Sequence, residues 1–356
     1  MLNYVDYIKK EVEKILFIEI ERDINFKIKN NFTLKKGEYP IYAEKLKEMA
    51  LSGTSNINLT YILEGIITIL GVDENFKYKD LYLSTLKSID GIESYIISQI
   101  EKNKQNNLKK SLIYANTLIK INNSETNQIN RIYLLFDLQA KTGLDFKDEI
   151  EKSLKDVLKT NIENPTANYN LALLYLNFDR DLAKYHLRKC LNYPITKKEA
   201  EELLYKIELV ENFDRAVDLI KQQQYKEALN ILIPLIEEEP QNLNAIYYTA
   251  LCYRNLNLNE KALYYLYMLK DQPERPEVLI EIGLNLASLS YFEDALEYFK
   301  DALKLKPNDQ TIISNIGVCY YYLGQVDKAR EAFELSLKLN KDDEVTKKWL
   351  ELIKED

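Results

Sequence analysis

The residues best able to do chemistry are few in this chain and lie far apart. It has one histidine, His186, and three cysteines, Cys190, Cys252 and Cys319. No CxxC or HExxH pair occurs, and a single imidazole leaves no partner for a histidine-rich metal site. We therefore expect no metal and no cofactor. The cysteines are predicted to serve as small buried apolar residues in a reducing compartment.

Phosphate-binding loops and catalytic carboxylate pairs are also missing from the sequence. Neither GxxxxGK[ST] nor GxGxxG is present, so a nucleotide site is not indicated. The acidic runs Glu237–Glu239 and Asp342–Glu344 fall at predicted helix ends, where solvated charge is the ordinary interpretation. Residues 1–160 contain no histidine or cysteine, which argues against an enzyme that uses the remaining residues as a substrate arm. The sequence predicts a protein without enzymatic activity.

The composition favours helices and an acidic C-terminal half. Of 356 residues only nine are glycine and eight are proline, so long helices with short connections are expected. Residues 201–356 carry 18 Lys and Arg against 29 Asp and Glu, a net charge of −11. Because no long basic stretch occurs, neither a nucleic acid nor a membrane is expected as a partner.

The apolar segments of the sequence predict where in the cell the protein is located, because none has the features of a membrane span or a signal peptide. The longest apolar stretch, Tyr61–Val72, spans twelve residues and contains Glu64, which makes it too short and too polar to cross a bilayer. The N-terminus shows no basic leader followed by a long apolar core. We expect a cytoplasmic protein, and the abundance of Lys, Ile, Asn and Tyr suggests a bacterial one.

A repeat of 34 residues organises the C-terminal half. Three pairs of identical residues mark two successive copies, 276–309 and 310–343: Gly283 and Gly317, Ala295 and Ala329, and Phe299 and Phe333. In each copy, apolar residues at helical spacing surround the glycine, and an Ala-x3-Phe pair follows. This pattern resembles the tetratricopeptide repeat. The resemblance implies an all-α fold, in which helix pairs stack into a right-handed superhelix (a solenoid) and cross at their small residues.

Further copies of the repeat are predicted upstream, near 165–196, 209–242 and 243–275, so that the array covers 165–343. Pro273 closes the last of these three copies, and Lys197–Leu209 is predicted to extend a helix. Residues 344–356, which include Trp349, are predicted to form a C-terminal capping helix over the open end of the stack.

The N-terminal half is predicted to be helical but less regular. Residues 1–105 are interpreted as a helical domain of unassigned type, and 106–164 as degenerate helical pairs. Apolar residues at helical spacing indicate helices from Val5 to Ile15 and from Leu59 to Leu70. Turn residues are predicted to separate the helices at several places: Asn30–Asn31, Gly37–Pro40, Ser52–Gly53, Gly71–Glu74, Asp90–Gly91, Asn122–Glu125 and Gly143–Leu144.

The first helices of successive tetratricopeptide repeats line a concave surface, and this resemblance places a binding groove here. Nine residues at inward positions spaced i, i+4, i+7 are predicted to contact a protein or peptide partner: Phe213, Val217, Tyr247, Leu251, Arg254, Ile280, Leu284, Val318 and Tyr321. Packing of these side chains on the protein's own helices is the alternative.

One known type of partner is not expected. Heat-shock co-chaperones with this repeat hold a C-terminal carboxylate with basic residues on the concave surface. Here Glu277 and Glu281 stand where basic residues are needed, and only Asn315 matches a residue type of that carboxylate clamp. We therefore do not expect chaperone tails to bind.

Two functions are consistent with these observations. The first is a non-enzymatic scaffold or adaptor that holds a segment of another protein in the concave groove. The alternative is a peptide-sensing regulator with an N-terminal helical output domain, although residues 1–105 show no helix-turn-helix motif. Affinity capture of proteins from the native host, followed by their identification, would show which partner binds.

Overall fold

The computed structural model describes residues 4–27, 32–51, 57–270 and 275–355. The chain divides into two compact units, Met1–Leu204 and Tyr205–Asp356. Helices predominate, and none in the described ranges is long and apolar enough to cross a membrane. The predicted turns at Asn30–Asn31 and Ser52–Gly53 and the proline Pro273 lie outside the described residues.

The first unit begins with helices and short strands. Its first elements are α1 (Tyr4–Lys9), a 3-10 turn (Val12–Lys14), β1 (Ile15–Ile20), β2 (Ile24–Phe26), β3 (Phe32–Leu34) and β4 (Gly37–Tyr42). Strand β1 pairs antiparallel with β4, and β2 pairs antiparallel with β3. The two sheets have two strands each.

These strands correct part of the prediction for residues 1–105. A helix does not continue to Ile15, and Gly37–Pro40 is not a turn but part of β4. The sequence of β1, with three isoleucines and a phenylalanine in six residues, suits a strand because β-branched and aromatic side chains pack well on a pleated surface. Pro40 is tolerated because β4 pairs with β1 alone among the described strands, which leaves one edge without a ladder.

The remaining helices of the first unit follow one another closely. They are α2 (Ala43–Leu51), α3 (Leu59–Val72), α4 (Lys79–Lys87), α5 (Ile92–Lys104), α6 (Leu108–Ile121), α7 (Glu125–Thr142), α8 (Lys147–Thr160), α9 (Pro165–Tyr175), α10 (Arg180–Cys190) and α11 (Pro194–Lys221). The turns predicted at Gly71–Glu74, Asp90–Gly91, Asn122–Glu125 and Gly143–Leu144 overlap the connections after α3, α4, α6 and α7, whereas the connection between α5 and α6 was not predicted. Helix α11 is continuous through Lys197–Leu209, as predicted, and the boundary between the units falls within it.

Two glycines explain how α3 packs inside the first unit. A Cβ atom on Gly65 would lie 2.1 Å from the carbonyl oxygen of Pro40, and one on Gly71 would lie 2.1 Å from that of Ile113. No side chain fits at such distances, so these two positions let the backbone of α3 touch β4 on one side and α6 on the other.

The second unit is a superhelical stack of helix pairs. After the last part of α11 come α12 (Tyr225–Glu238), α13 (Leu243–Asn255), α14 (Asn259–Tyr267), α15 (Pro276–Ser288), α16 (Phe292–Leu305), α17 (Gln310–Tyr322), α18 (Val326–Leu339) and α19 (Glu344–Glu355). Helices α15 and α16 lie within 276–309, and α17 and α18 lie within 310–343. The predicted all-α repeat fold is confirmed.

Small residues fix the crossing within each pair. Ala295 and Ala329 are fully buried. A Cβ atom on Gly283 would lie 2.7 Å from the ring of Phe299, and Gly317 stands in the same relation to Phe333. The residues that repeat at 34 positions are therefore those at which the two helices of a pair approach most closely.

The turn inside each pair also repeats. Four residues at equivalent positions have left-handed backbone angles, with φ between 58° and 71°: Gln223, Asn257, Ser290 and Gly324. In every one of these turns, the next backbone N–H donates to a carbonyl five residues earlier at 2.9 Å. This hydrogen bond is typical of a Schellman C-cap, which reverses the chain between the two helices.

Candidate functional site

The nine residues of the predicted groove lie on the first helix of four successive pairs. Phe213 and Val217 are on α11; Tyr247, Leu251 and Arg254 are on α13; Ile280 and Leu284 are on α15; Val318 and Tyr321 are on α17. All nine side chains are partly buried, and none is fully enclosed or fully exposed. We call this row of nine residues the groove.

Several groove residues are anchored by the core of the second unit. Tyr247, Ile280 and Leu284 pack at their inner ends against a cluster that contains Ile282 and Phe299. Because packing locks one side of each ring or aliphatic chain, the outer side is held in place at little further entropic cost. Apolar side chains that are already fixed in one conformation lose little entropy when a partner binds, which favours recognition.

The N-terminal part of the groove is aromatic. Phe213 meets Tyr248 edge to face, with ring centroids 5.6 Å apart, and Tyr247 meets Tyr248 in the same way at 5.8 Å. These contacts connect α11 with α13 and leave part of each ring uncovered. Amphipathic rings with few rotatable bonds are frequent anchors of protein interfaces.

A single ion pair interrupts the apolar centre of the groove. Arg254 Nε on α13 lies 2.7 Å from Glu281 Oε2 on α15, with side-chain exposures of 34% and 11%. The two groups are poorly aligned, so neither atom makes a hydrogen bond of good geometry within the described residues. Both atoms are buried, so the carboxylate of Glu281 depends on Arg254 for compensation of its charge.

Burial perturbs the titrating groups at this centre. Desolvation raises the pKa of Glu281, and the neighbouring Arg254 opposes this shift. Desolvation also raises the pKa of Tyr247 to about 12, with further contributions from the charges of Glu281 and Glu277. Tyr247 is thus a neutral hydroxyl near two carboxylates, and the ionisation of Glu281 depends on Arg254.

At the C-terminal end of the groove lies a cavity of ≈ 430 Å³. Its lining comes from α15, α16, α17, α19 and one turn: Leu284, Ala287, Ser288, Ser290, Phe292, Phe299, Asn315, Val318, Tyr322 and Trp349. Two groove residues, Leu284 and Val318, form part of its wall. We call this space the aromatic cavity.

Stacked rings shape the aromatic cavity. Phe292 and Tyr322 are nearly parallel at 8°, with centroids 4.6 Å apart, although Tyr322 remains 55% exposed. Trp349 stacks on the buried Phe333 at 6.0 Å and meets the edge of Tyr322 at 6.0 Å. Trp349 thus joins the core to the cavity wall, in addition to its predicted place in a capping helix.

Sequence reasoning missed three rings of this cavity, those of Phe292, Tyr322 and Trp349. The groove positions follow the spacing of a single helix face, whereas these rings come from three helices and converge only in the folded unit. A signal was present, because Tyr322 and Phe292 flank the turns within two adjacent pairs. Aromatic residues near turns in two successive copies suggest a shared surface.

The histidine and the three cysteines are buried. His186 Nδ1 is 2.8 Å from Asn168 Oδ1, and burial lowers the pKa of the imidazole. Burial raises the pKa of the Cys190 and Cys319 thiols to about 11 and that of Cys252 to about 12. The structure buries all three cysteine side chains, as predicted. Among the described residues no group of three or more His, Cys, Asp and Glu could hold a metal ion.

The first unit contains a buried polar cluster that the sequence did not indicate. Arg131 is 8% exposed and donates to Asn116, to Ser153 and to Tyr4, and it forms an ion pair with Glu149 at 2.5 Å. Cavities of ≈ 340 and ≈ 250 Å³ lie beside it. Because these four partners come from α1, α6 and α8, the guanidinium of Arg131 on α7 holds four helices together.

Comparison with known proteins finds tetratricopeptide repeats in the second unit. Family models of the tetratricopeptide repeat match residues 213–276 and 291–347. BBSome complex member BBS4 of Bos taurus is 28% identical over 158 residues, which cover 44% of this chain and 28% of that protein. Aspartyl/asparaginyl beta-hydroxylase of Mus musculus is 27% identical over 164 residues, which cover 42% of this chain and 22% of that protein.

The similarity to these curated relatives is therefore confined to a part of each. The chain spans about a quarter of the length of either relative. Among solved structures, the crystal structure of YrrB, described as a TPR protein with an unusual peptide-binding site, is 19% identical. It covers 55% of this chain and 96% of its own, with a TM-score of 0.36.

Proposed function

Because this chain is a tetratricopeptide-repeat protein, we propose that it is a non-enzymatic scaffold or adaptor whose groove holds a segment of another protein. Proteins built from such stacked repeats present extended concave surfaces for binding. The second unit supplies the proposed surface from Phe213 on α11 to Tyr321 on α17.

The observation that carries this proposal is the partial exposure of the groove. Tyr247, Leu251, Ile280 and Leu284 would be fully buried if they served only to pack the repeats together. Each instead retains accessible surface, and Tyr247, Ile280 and Leu284 also contact the core. A continuous row of partly exposed apolar side chains on neighbouring helices is typical of an interaction site.

The form of the groove suggests how a partner would lie in it. Four parallel first helices present two or three inward residues each, so the partner meets a series of shallow steps instead of one deep pocket. An extended peptide or an amphipathic helix can place an apolar side chain on each step. We propose that this binding occurs in the cytoplasm of a bacterium, as the cysteines and the composition suggest.

Selection from a random peptide library displayed on phage tests the proposal. The full chain is immobilised, and each selected peptide is then measured against the double variant Tyr247→Ala/Leu284→Ala. Truncation of central anchors typically costs about 2 kcal/mol or more, which corresponds to about 30-fold in Kd. We expect at least this loss, with an unchanged helical circular dichroism spectrum.

A matched control comes from the outer helices. Tyr264→Ala/Leu335→Ala removes the same two residue types from α14 and α18, where Tyr264 is 62% and Leu335 47% exposed. This variant should bind the selected peptides as the wild type does. Peptides that lose affinity for the control and keep it for the groove variant would refute the proposed site.

A further inference from the structure

The first unit contains a polar cavity that the proposed function does not use. Its two parts are the cavities of ≈ 340 and ≈ 250 Å³ beside Arg131. They share five lining residues: Glu74, Ile119, Arg131, Glu149 and Lys152. We call the two parts together the polar cavity. Their volumes are near the lower end of the range for small-molecule pockets, about 300–1,000 Å³, so the space suits a small molecule.

Hydrogen bonds fix one wall of the polar cavity before any ligand binds. Arg131 on α7 donates from Nε to Asn116 on α6 and from Nη1 to Ser153 on α8, each at 2.6 Å. The same guanidinium forms the ion pair with Glu149, so these two charges compensate each other and need no ligand. A wall that is already held in one arrangement lowers the entropic cost of binding.

Two opposite charges on the wall have no such compensation. Lys152 on α8 and Glu74, in the turn after α3, line both parts of the cavity, and both residues are exposed. Within the described part of the chain neither side chain forms an ion pair or a hydrogen bond, and the two do not pair with each other. Both groups are therefore accessible to a ligand and free to bind it.

The remaining charges of the polar cavity are nearly balanced. Lys159 pairs with Asp156 at 2.6 Å, and Lys120 donates to the backbone carbonyl of Leu70. Burial lowers the pKa of Lys120, and the carboxylate of Glu74 opposes this shift. In all, five Lys and Arg and four Asp and Glu line the two parts. The cavity thus presents both signs of charge and is neither a strongly basic nor a strongly acidic site.

Free charges of opposite sign favour a ligand that carries both signs. A simple anion would be attracted by Lys152 and repelled by Glu74, and a simple cation would meet the reverse. Only a zwitterion gains from both groups, through charge-assisted hydrogen bonds at each end. The flexible stem of Lys152 lets its ammonium follow the position of a ligand carboxylate.

We propose that the polar cavity binds a free α-amino acid, with its carboxylate at Lys152 and its ammonium at Glu74. This is the natural class of small molecule that carries both charges on one carbon. Ile8, Val72 and Ile119, which also line the cavity, supply an apolar wall for the side chain of the ligand. The site lies within the first unit, so it does not depend on the groove.

Isothermal titration calorimetry of the full chain with each of the standard amino acids tests the proposal. The amino acid that binds most tightly is then compared with its amide, which lacks the negative charge, and with its N-acetyl derivative, which lacks the positive charge. We expect saturable binding of at least one amino acid. Each derivative should bind at least about 10-fold more weakly, since it loses one charge-assisted hydrogen bond.

Protein variants assign the two contacts. Lys152→Met should abolish the preference for the amino acid over its amide and keep the preference over the N-acetyl derivative. Glu74→Gln should do the reverse. Lys155→Met on α8 and Glu101→Gln on α5 are matched controls, because both residues are exposed and line neither part of the cavity, and they should bind as the wild type does. Circular dichroism confirms that each variant folds.

Each contrary outcome overturns a stated part of the inference. If no amino acid gives saturable heat, the cavity is not an amino-acid site. If the amide or the N-acetyl derivative binds as tightly as the amino acid, the assignment of a zwitterion is wrong. If Lys152→Met and Glu74→Gln both bind as the wild type does, the ligand lies elsewhere. Peptides selected for the groove should bind both variants unchanged, so failure here leaves the proposed function standing.

Discussion

At the scale of single residues, the second unit depends on a few side chains that differ from their surroundings. Arg254 and Glu281 are charged within an apolar groove, and each is tolerated only because the other is present. Glu277, one turn before Glu281 on α15, forms an exposed pair at 2.9 Å with Lys306, which follows α16. Burial, and not distance, therefore distinguishes the two pairs.

A double-mutant cycle tests the buried pair. Arg254→Met should lower the free energy of unfolding by about 2 kcal/mol, because it leaves the carboxylate of Glu281 buried without a counter-ion. Arg254→Met/Glu281→Leu should recover most of this loss. As a control, Lys306→Met breaks the exposed pair and should cost less than about 1 kcal/mol. Urea unfolding followed by Trp349 emission measures all three variants, and equal losses would contradict the assignment.

The same variant has a predictable dependence on pH. The pKa of Glu281 is raised in the folded protein, so the folded state binds this proton more tightly than the unfolded state does. The group therefore favours folding below the ordinary carboxyl pKa, and this contribution is lost as pH rises through the raised pKa. The loss of stability caused by Arg254→Met, measured against the wild type at the same pH, should thus be smallest in mildly acidic buffer.

The cysteines make a second residue-scale prediction. All three are fully buried, and with a pKa of about 11 roughly one Cys319 thiol in a thousand is ionised at about pH 8. A thiol reagent should therefore leave the native protein unlabelled and modify three thiols after denaturation. Rapid labelling of the native protein at one thiol would show that its helix pair opens.

At the scale of elements, the helix pairs are held by contacts that recur with the repeat. The glycine or alanine of the first helix, the alanine of the second, and the left-handed residue in the turn between them occupy equivalent positions in successive copies. Since each contact is local, the pair is the structural unit, and its geometry follows from a few small residues.

Gly283→Ala tests this geometry. Its Cβ atom would lie 2.7 Å from the ring of Phe299, which is 1% exposed, so the ring would have to shift. Overpacking of this kind costs about 1–3 kcal/mol, more than the gain of about 1 kcal/mol in helix propensity. We expect a lower urea midpoint by Trp349 emission. Ser288→Ala on the exposed face of α15 is the control, and a more stable Gly283→Ala protein would overturn the packing model.

At the scale of the whole molecule, sequence reasoning succeeded where structure is local and repeated. The copies in the second unit were predictable because each Gly, Ala and Phe performs the same packing in successive pairs. The strands were not, because the run Ile15–Ile20 lacks regular alternation and is compatible with a helix or a strand. Its partner, β4, lies further along the chain, so only the fold shows the pairing.

The positions of the candidate site residues could be predicted to a similar extent, because they also follow from helical spacing. Inward positions on one helix follow from helical spacing, and the structure places all nine groove residues on the first helices, each partly exposed. The aromatic cavity requires Phe292, Tyr322 and Trp349 to meet from three helices, and no spacing within one helix encodes that. The Arg131 cluster in the first unit escaped for the same reason, since its partners are distant in sequence.

The central claim, that the groove is where a partner binds, is tested most directly by hydroxyl-radical footprinting with and without a saturating selected peptide. Oxidation of Tyr247 and Tyr321 should fall several-fold on binding, because both have accessible surface in the groove. Tyr264 and Tyr291, 62% and 56% exposed on other helices and turns, should be oxidised equally in both states. Protection of Tyr264 or Tyr291 with unchanged oxidation of Tyr247 and Tyr321 would contradict the claim.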